Sequence, residues 1–132
     1  MSSYTSKYAN FSDLIGKVLS VVDVQGDEII FRVAPNVNPN NPTDVTPGEV
    51  YRMYHDQDCC ESVHVTDVVG DVADLVGTPI LRAEVESNDD PNASESGTYT
   101  YYKLATIKGY VDIRWYGSSN GYYSESVSFK KD

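Results

Sequence analysis

The strongest structural pattern in the sequence lies in its last 36 residues, where aromatic and β-branched residues alternate with polar ones. Three such runs, at residues 98–107, 110–117 and 122–130, are separated by the turn sequences KG and SNG. Alternation with a period of two is typical of half-buried strands, and short glycine-containing turns join antiparallel neighbours. The pattern therefore predicts an antiparallel three-stranded meander.

The position of each turn fixes which residues face each other across the predicted meander. With Lys108 and Gly109 in the first turn, Leu104 faces Ile113 on an apolar side of the sheet. A three-residue second turn pairs Ile113 with Val127, which keeps that side apolar on all three strands. A slip of one residue would turn the apolar side to solvent, so burial favours this register.

The opposite side of the predicted meander places two cations next to each other. Lys103 faces Arg114 directly, and Asp112 lies diagonal to Lys103 on the same side. Like charges across a ladder repel, so either Asp112 neutralises the pair on a wet surface or the pair binds an anion such as a phosphate. Rings for stacking and hydroxyl or amide donors complete the predicted ligand site, namely Tyr101, Tyr116, Trp115, Ser118, Asn120, Ser124 and Ser126.

The rest of the chain predicts an α+β fold that is mainly antiparallel sheet, with about seven to eight strands in a single domain over residues 1–132. Further strands are predicted near residues 17–24, 28–34, 49–55, 62–66 and 79–86. Helical spacing of apolar residues predicts short helices within residues 4–16 and 68–76. Proline, asparagine and acidic residues predict exposed loops at residues 34–48 and 87–97.

The composition limits the partners of the protein. Twenty acidic residues against ten basic ones give a formal charge of −10. A surface built to grip nucleic acid must be basic to neutralise phosphates, so we expect no direct binding of nucleic acid. No stretch approaches the roughly 20 apolar residues of a membrane span, so we expect no membrane partner and a cytoplasmic location.

One short segment holds residue types that bind metals or act as nucleophiles. His55, Cys59, Cys60 and His64 provide four ligand atoms suited to zinc, or a thiol and an imidazole suited to hydrolysis. Adjacent cysteines point to opposite sides of an extended backbone and do not match the usual spacing of zinc ligands. Neighbouring cysteines bond to each other only through a strained ring, so reduced thiols with a structural role are expected. The sequence therefore predicts no metal, no cofactor and no catalytic residue.

Three stretches, YRMYHDQDCCESV at 51–63, GDVADLVGTPIL at 70–81 and YYKLATIKGYVDIRWYGSSNGYYSESVSF at 101–129, resemble a family of small proteins encoded by bacteriophages and prophages. The resemblance implies a phage-borne protein that acts in the cytoplasm of the host cell. By analogy, phage accessory proteins of this size often counter host defence, and several such families sequester nucleotide signals inside oligomers.

The hypothesis that combines these observations is a non-enzymatic protein that sequesters a small anionic ligand for antiviral evasion. A cyclic nucleotide or an ADP-ribose-type immune signal is the expected ligand. A homo-oligomer is also expected, because the seven tyrosines of the last 36 residues exceed what one small sheet buries. The alternative is an acidic module that binds and inhibits a host protein, and a second alternative is a thiol- or metal-dependent hydrolase.

Overall fold

The structure is a computed structural model, and it describes residues 7–46, 48–57, 60–121 and 124–132. Within these residues the chain forms antiparallel sheets of five, four and two strands. The helical structure there consists of two single 3₁₀ turns, Phe11–Leu14 and Val72–Leu75. The prediction of a mainly antiparallel β fold is confirmed. The α+β class is supported only in its β part, and the two predicted short helices are wrong, because each shrinks to one 3₁₀ turn.

The five-stranded sheet contains the β-hairpin predicted near the N-terminus. Its strands, in spatial order, are β1 (Lys7–Tyr8), β11 (Ser128–Lys131), β6 (Val50–Tyr54), β3 (Glu28–Val33) and β2 (Leu19–Gln25). The hairpin of β2 and β3 turns at Gly26, whose φ of 62° lies in the left-handed region that favours glycine. Alternate residues of β3 and β6 are buried, as expected for strands with one covered face.

The four-stranded sheet positions most of the predicted ligand site. Its strands, in spatial order, are β7 (Ser62–Val69), β10 (Gly109–Ser119), β9 (Ser96–Thr106) and β8 (Arg82–Asp89). Strands β9 and β10 are the longest of the described chain and pair with each other along their whole length. Their buried and half-buried residues alternate, so that one face of the sheet points inward and the other faces solvent.

The inner faces of the two larger sheets share one apolar core. Trp115 of β10 donates its indole N–H to the sulfur of Met53 in β6, with 3.2 Å between the two heavy atoms. Phe11 of the first 3₁₀ turn lies between the sheets, with its ring centroid 4.8 Å from that of Tyr102 and 5.3 Å from that of Phe129. Burial of such rings is the main source of stability for a domain of this size.

The predicted three-stranded meander is wrong in its third strand. Residues 124–127 form no strand, and β11 pairs with β6 and β1 in the other sheet. The expected pairing of Ile113 with Val127 therefore does not occur. The physical reason is that alternation shows which residues of a strand are buried but not which strand pairs with it. Phe129 is buried in the five-stranded sheet, as the alternation requires.

The first turn of the predicted meander lies one residue earlier than expected. Ile107 and Lys108 occupy the turn, and Thr106 pairs with Gly109. Gly109 is needed for close packing instead, because a Cβ there would lie 2.9 Å from a carboxylate oxygen of Asp74. Moving a turn by one residue moves the register by two, which changes every cross-strand partner but leaves each side chain on its predicted face.

The two predicted loops contain more regular structure than expected. In the predicted loop at 34–48, residues 35–45 are exposed, as predicted, but the loop also holds a two-stranded hairpin of β4 (Asn36–Asn38) and β5 (Asn41–Thr46). In the predicted loop at 87–97, β8 continues to Asp89 and β9 begins at Ser96, so a short connection remains. An edge strand such as β8 can extend through polar residues, because its outward face and free edge need no apolar cover.

Candidate functional site

The outer face of the four-stranded sheet carries the charged and aromatic residues that the sequence singles out. We define this outer face by seven of the side chains that point away from the core on β8, β9 and β10, namely Glu86, Tyr99, Tyr101, Lys103, Asp112, Arg114 and Tyr116. Strand alternation brings them together, because every second residue of a strand lies on the same face.

Lys103 and Arg114 share this face but do not stand opposite each other. Lys103 pairs with Asp112 across the ladder, and Arg114 pairs with Tyr101. The two cations are therefore diagonal neighbours, and the direct repulsion expected from the sequence is absent. The two-residue change in register, caused by the earlier turn, accounts for this difference.

Each cation forms an ion pair on the outer face. The Lys103 ammonium donates to a carboxylate oxygen of Glu86 at 2.9 Å, and the Arg114 guanidinium lies 3.4 Å from a carboxylate oxygen of Asp112. The hydrogen bond between Lys103 and Glu86 raises the pKa of the ammonium and lowers the pKa of the carboxyl. Lys103, Glu86 and Arg114 are open to solvent, whereas the Asp112 side chain is 15% exposed. A competing ligand therefore replaces the contact between Lys103 and Glu86 at small cost.

Tyrosine rings form the aromatic part of the outer face. The rings of Tyr99 and Tyr101 are stacked with centroids 6.2 Å apart, and the centroids of Tyr99 and Tyr116 are 4.8 Å apart. The Arg114 guanidinium lies 5.9 Å from the centroid of Tyr101. The Tyr116 hydroxyl donates to Asp90 at 2.7 Å, and this hydrogen bond raises the pKa of Tyr116 to about 12. These rings present flat apolar surface beside the ion pairs.

A shallow cavity of about 350 Å³ lies between the two ion pairs. It is lined by five residues of the outer face, Glu86, Tyr101, Lys103, Asp112 and Arg114. One carboxylate oxygen of Asp112 is buried and accepts no hydrogen bond from any described group. A buried acceptor without a donor is costly, so this oxygen favours a ligand that brings an N–H or O–H group.

The structure places five residues of the predicted site away from the cavity between the two ion pairs. Trp115 is buried in the core, so its ring is not available for stacking on a ligand. Ser124 and Ser126 lie on the inner side of the sheet, where their hydroxyl oxygens are 2.6 Å apart. Ser118 lines a separate cavity next to Tyr116, together with Asn120. Of the predicted site, Tyr101, Tyr116, Lys103 and Arg114 therefore share the outer face, and Ser118 follows Tyr116 on that face beside the separate cavity.

The histidines of the cysteine-containing segment bind different partners. His55 lies 2.9 Å from Glu61 through one ring nitrogen and 2.7 Å from the backbone carbonyl of Ser126 through the other. His64 lies 2.7 Å from Asp27, on the edge of the sheet. No group of three or more metal-ligating side chains occurs in the described parts of the chain.

The two cysteines complete that segment. Cys60 is disulfide-bonded, which corrects the expectation of a reduced thiol at this position. Cys59 lies outside the residues that the structure describes. Of the four residues considered as zinc ligands, His55, Cys59, Cys60 and His64, the two histidines contact separate carboxylates, Glu61 and Asp27.

Sequence reasoning missed two residues of the outer face. Glu86 ends the strand predicted at residues 79–86, and Tyr99 precedes Tyr101 by two positions in the sequence YTYYK. The alternation that selects Tyr101 and Lys103 also selects Tyr99, so this residue was available from the sequence. Glu86 could not be selected in this way. No short turn joins β8 to β9, so the sequence does not fix the register between these two strands.

Comparison with known proteins assigns the chain to a family. A family model described as a domain of unknown function, DUF7448, matches residues 12–129. The chain belongs to this family. No curated protein and no solved structure matches it. The matched residues include all four strands of the four-stranded sheet and the outer face, and the family description assigns no ligand. In the described parts of the chain, no helix has the length and apolar character needed to cross a membrane.

Proposed function

We propose that this DUF7448 domain is a non-enzymatic binding protein and that the cavity on its outer face binds a nucleotide. The observation that supports the proposal is that two cations, an aromatic ring and a carboxylate line one cavity of about 350 Å³. Lys103 and Arg114 provide positive charge, Tyr101 provides a ring, and Asp112 provides an oxygen that accepts no hydrogen bond from the described residues. A nucleotide carries a phosphate, a flat base and N–H donors, which match these three groups.

The ion pairs set the expected strength of binding. A phosphate must displace Glu86 from Lys103 or Asp112 from Arg114, and displacing Glu86 costs less because both members of that pair are exposed, whereas the Asp112 side chain is 15% exposed. The two carboxylates nevertheless cancel the charge of the two cations, so a bare anion gains little net attraction. The base must therefore contribute through Tyr101 and Asp112. We infer that free phosphate binds weakly and that a nucleotide binds better.

The experiment is a thermal-shift and calorimetric survey of cyclic and linear nucleotides and ADP-ribose, with inorganic phosphate for comparison. Nucleotide binding should raise the melting temperature of the protein. Arg114→Ala should weaken the affinity for the nucleotide by roughly tenfold, as expected for loss of a charged hydrogen bond. Arg32→Ala, which removes an equal charge from the exposed surface of the five-stranded sheet, should bind as wild type does. Absence of any shift across the survey would refute the proposal.

Asp112→Asn separates nucleotide binding from simple anion binding. If Asp112 accepts an N–H group of the base, replacing it by an amide weakens nucleotide binding. If the cavity only attracts anions, removing this negative charge strengthens the binding of phosphate and nucleotide alike. The second result would leave an anion site and exclude the role of the base.

A second candidate function is docking on another protein, and the tyrosine cluster favours it. Tyr99 stacks on Tyr101 and contacts Tyr116, and tyrosine and arginine are enriched at protein interfaces. Under this function Tyr99→Ala reduces capture of a partner or of a second copy of the chain, and no nucleotide raises the melting temperature. Sequestration of an immune signal, phage origin and a homo-oligomer belong with these proposals. The first two rest on the resemblance described above, and the homo-oligomer rests on the seven tyrosines of the last 36 residues.

A further inference from the structure

The inner face of the four-stranded sheet has a second feature that the outer-face proposal does not use. A cleft of about 530 Å³ opens where residues 124–127 pass over β8 and β9. We call it the hydroxyl cleft and define it by six of its lining residues, Val85, Ser87, Thr98, Ser124, Glu125 and Val127. A second cavity of about 470 Å³ shares Val85, Ser124 and Val127 with it, so the two form one elongated groove.

Glu125 is the charged group of the hydroxyl cleft. Its Cβ packs against Gly117, where an added Cβ would lie 2.9 Å from it. Its carboxylate accepts hydrogen bonds from the hydroxyls of Thr98, at 2.7 Å, and of Ser119. Burial raises the pKa of Glu125, but hydroxyl donors from Ser119, Ser96 and Thr98 outweigh it and hold the pKa below its usual value. The group is therefore ionised at neutral pH.

Among the described residues, no positive charge lines the hydroxyl cleft to balance Glu125. No lysine or arginine lines it in the described parts of the chain, and none of the ion pairs found there includes Glu125. Neutral hydroxyls satisfy its hydrogen bonds but leave one net negative charge in a half-enclosed groove. Such a charge attracts a cation more strongly than the same charge in open solvent, because the surrounding protein screens it less.

The walls of the groove indicate which kind of cation fits. Val85 is 53% exposed although its side chain points to the inner face, and Val127 lines the same groove. Apolar surface beside a single carboxylate suits a methylene chain that ends in an ammonium group. A metal ion fits poorly, since no cluster of three ligating carboxylate, imidazole or thiol groups exists in the described residues.

We propose that the hydroxyl cleft binds an alkylammonium group, with the ammonium on Glu125 and the methylene chain along Val85 and Val127. A lysine side chain of another protein and a free polyamine share this chemistry. The proposal is independent of the nucleotide proposal, because the cleft and the outer face lie on opposite sides of the same sheet.

The test titrates the protein with spermidine or with a lysine-containing tripeptide and measures binding by NMR. The titrations are done in about 150 mM salt, where diffuse attraction to an acidic chain is largely screened. At least one probe should bind saturably with one-to-one stoichiometry, and the neutral analogue 1,5-pentanediol should not compete. Spermidine alone would indicate a polyamine, and the peptide alone would indicate a protein lysine. Glu125→Gln should weaken binding by roughly tenfold, the loss expected for a charged hydrogen bond.

Two variants distinguish the cleft from the general acidity of the chain. Asp44→Asn removes the same charge from the exposed β4–β5 hairpin and should leave binding unchanged. Val85→Lys places an ammonium group inside the cleft at an exposed position and leaves Glu125 unsubstituted, so it should block binding of the probes. Equal weakening by Asp44→Asn and Glu125→Gln, or wild-type binding by Val85→Lys, would overturn the proposal.

Discussion

The two faces of the β9–β10 hairpin come from the same two strands but balance their polar groups in different ways. On the outer face, Lys103 and Arg114 each have a carboxylate partner. On the inner face, the middle of the hairpin is apolar, with Ile113 at 0% exposure, and one end carries hydroxyls around Glu125. The outer face is charge-neutral and open, whereas the inner face is dry at its centre and negatively charged at its edge.

This difference shows which residues of the sheet stabilise the fold and which are accessible to a ligand. Residues that the other sheet covers lose contacts with water and hold the fold together. Residues beyond that cover, either on the outer face or in the hydroxyl cleft, contribute little to folding and remain open to ligands. Substitutions on the two faces should therefore have clearly different effects on the free energy of unfolding.

The largest expected difference comes from neighbouring residues of β10. Ile113→Ala leaves a cavity in the fully buried core and should lower the free energy of unfolding by about 3 kcal/mol. Arg114→Ala, one position along on the outer face, should lower it by less than about 1 kcal/mol, because the Arg114 side chain is 44% exposed and its guanidinium lies 3.4 Å from Asp112. Urea denaturation monitored by Trp115 fluorescence measures both. Equal losses would show that the outer face is part of the core and would remove the distinction.

The same two faces show what the sequence reveals about this fold. Alternation placed Tyr101, Lys103 and Arg114 on one face correctly, even though the turn was misplaced by one residue. A shift of the turn by one residue moves the register by two, so the face survives and the partners do not. The predicted fold therefore keeps the hairpin and its two faces, while the contact between Lys103 and Arg114 changes to two ion pairs.

Other features depended on contacts between distant segments and were not accessible from local patterns. Val127 and Phe129 read as a third strand of the meander, but packing against Phe11 and Tyr51 places Phe129 in the other sheet. Val68 and Val69 fit helical spacing, yet they belong to strand β7. Short runs of β-branched residues fit either period, and only the pairing partner decides between them.

A smaller effect is expected where residues 124–127 approach the sheet. Gly117→Ala adds a Cβ that would lie 2.8 Å from the carbonyl oxygen of Glu125, so the segment must move away from the inner face. We expect a loss of about 1–2 kcal/mol in the free energy of unfolding, typical of overpacking at a buried site. Ser118→Ala, the next residue of the strand, adds no atoms and should cost less. An unchanged stability for Gly117→Ala would show that the segment is not held against β10.

The smallest effect concerns two tyrosines whose pKa values are raised for different reasons on the two faces. Burial alone raises the pKa of Tyr102 on the inner face. On the outer face, the hydrogen bond to Asp90 is the main cause that raises the pKa of Tyr116 to about 12 from the ordinary 10.0. Between pH 10.0 and about 12, Tyr116 keeps its hydroxyl proton in the folded chain and releases it in the unfolded chain. The contribution of Tyr116 to stability is therefore complete below pH 10.0 and is lost as the pH rises through about 12.

Asp90→Asn tests this distinction, because it removes the charge while the amide oxygen can still accept the turn hydrogen bond from the backbone N–H of Asn92. The pKa of Tyr116 should fall towards its ordinary value, and the pKa of Tyr102 should stay raised. NMR titration of the ring carbons next to the hydroxyls resolves the two residues. If both values fell together, burial of Tyr102 would depend on the outer face, and the two faces of the hairpin would be coupled through the sheet rather than independent.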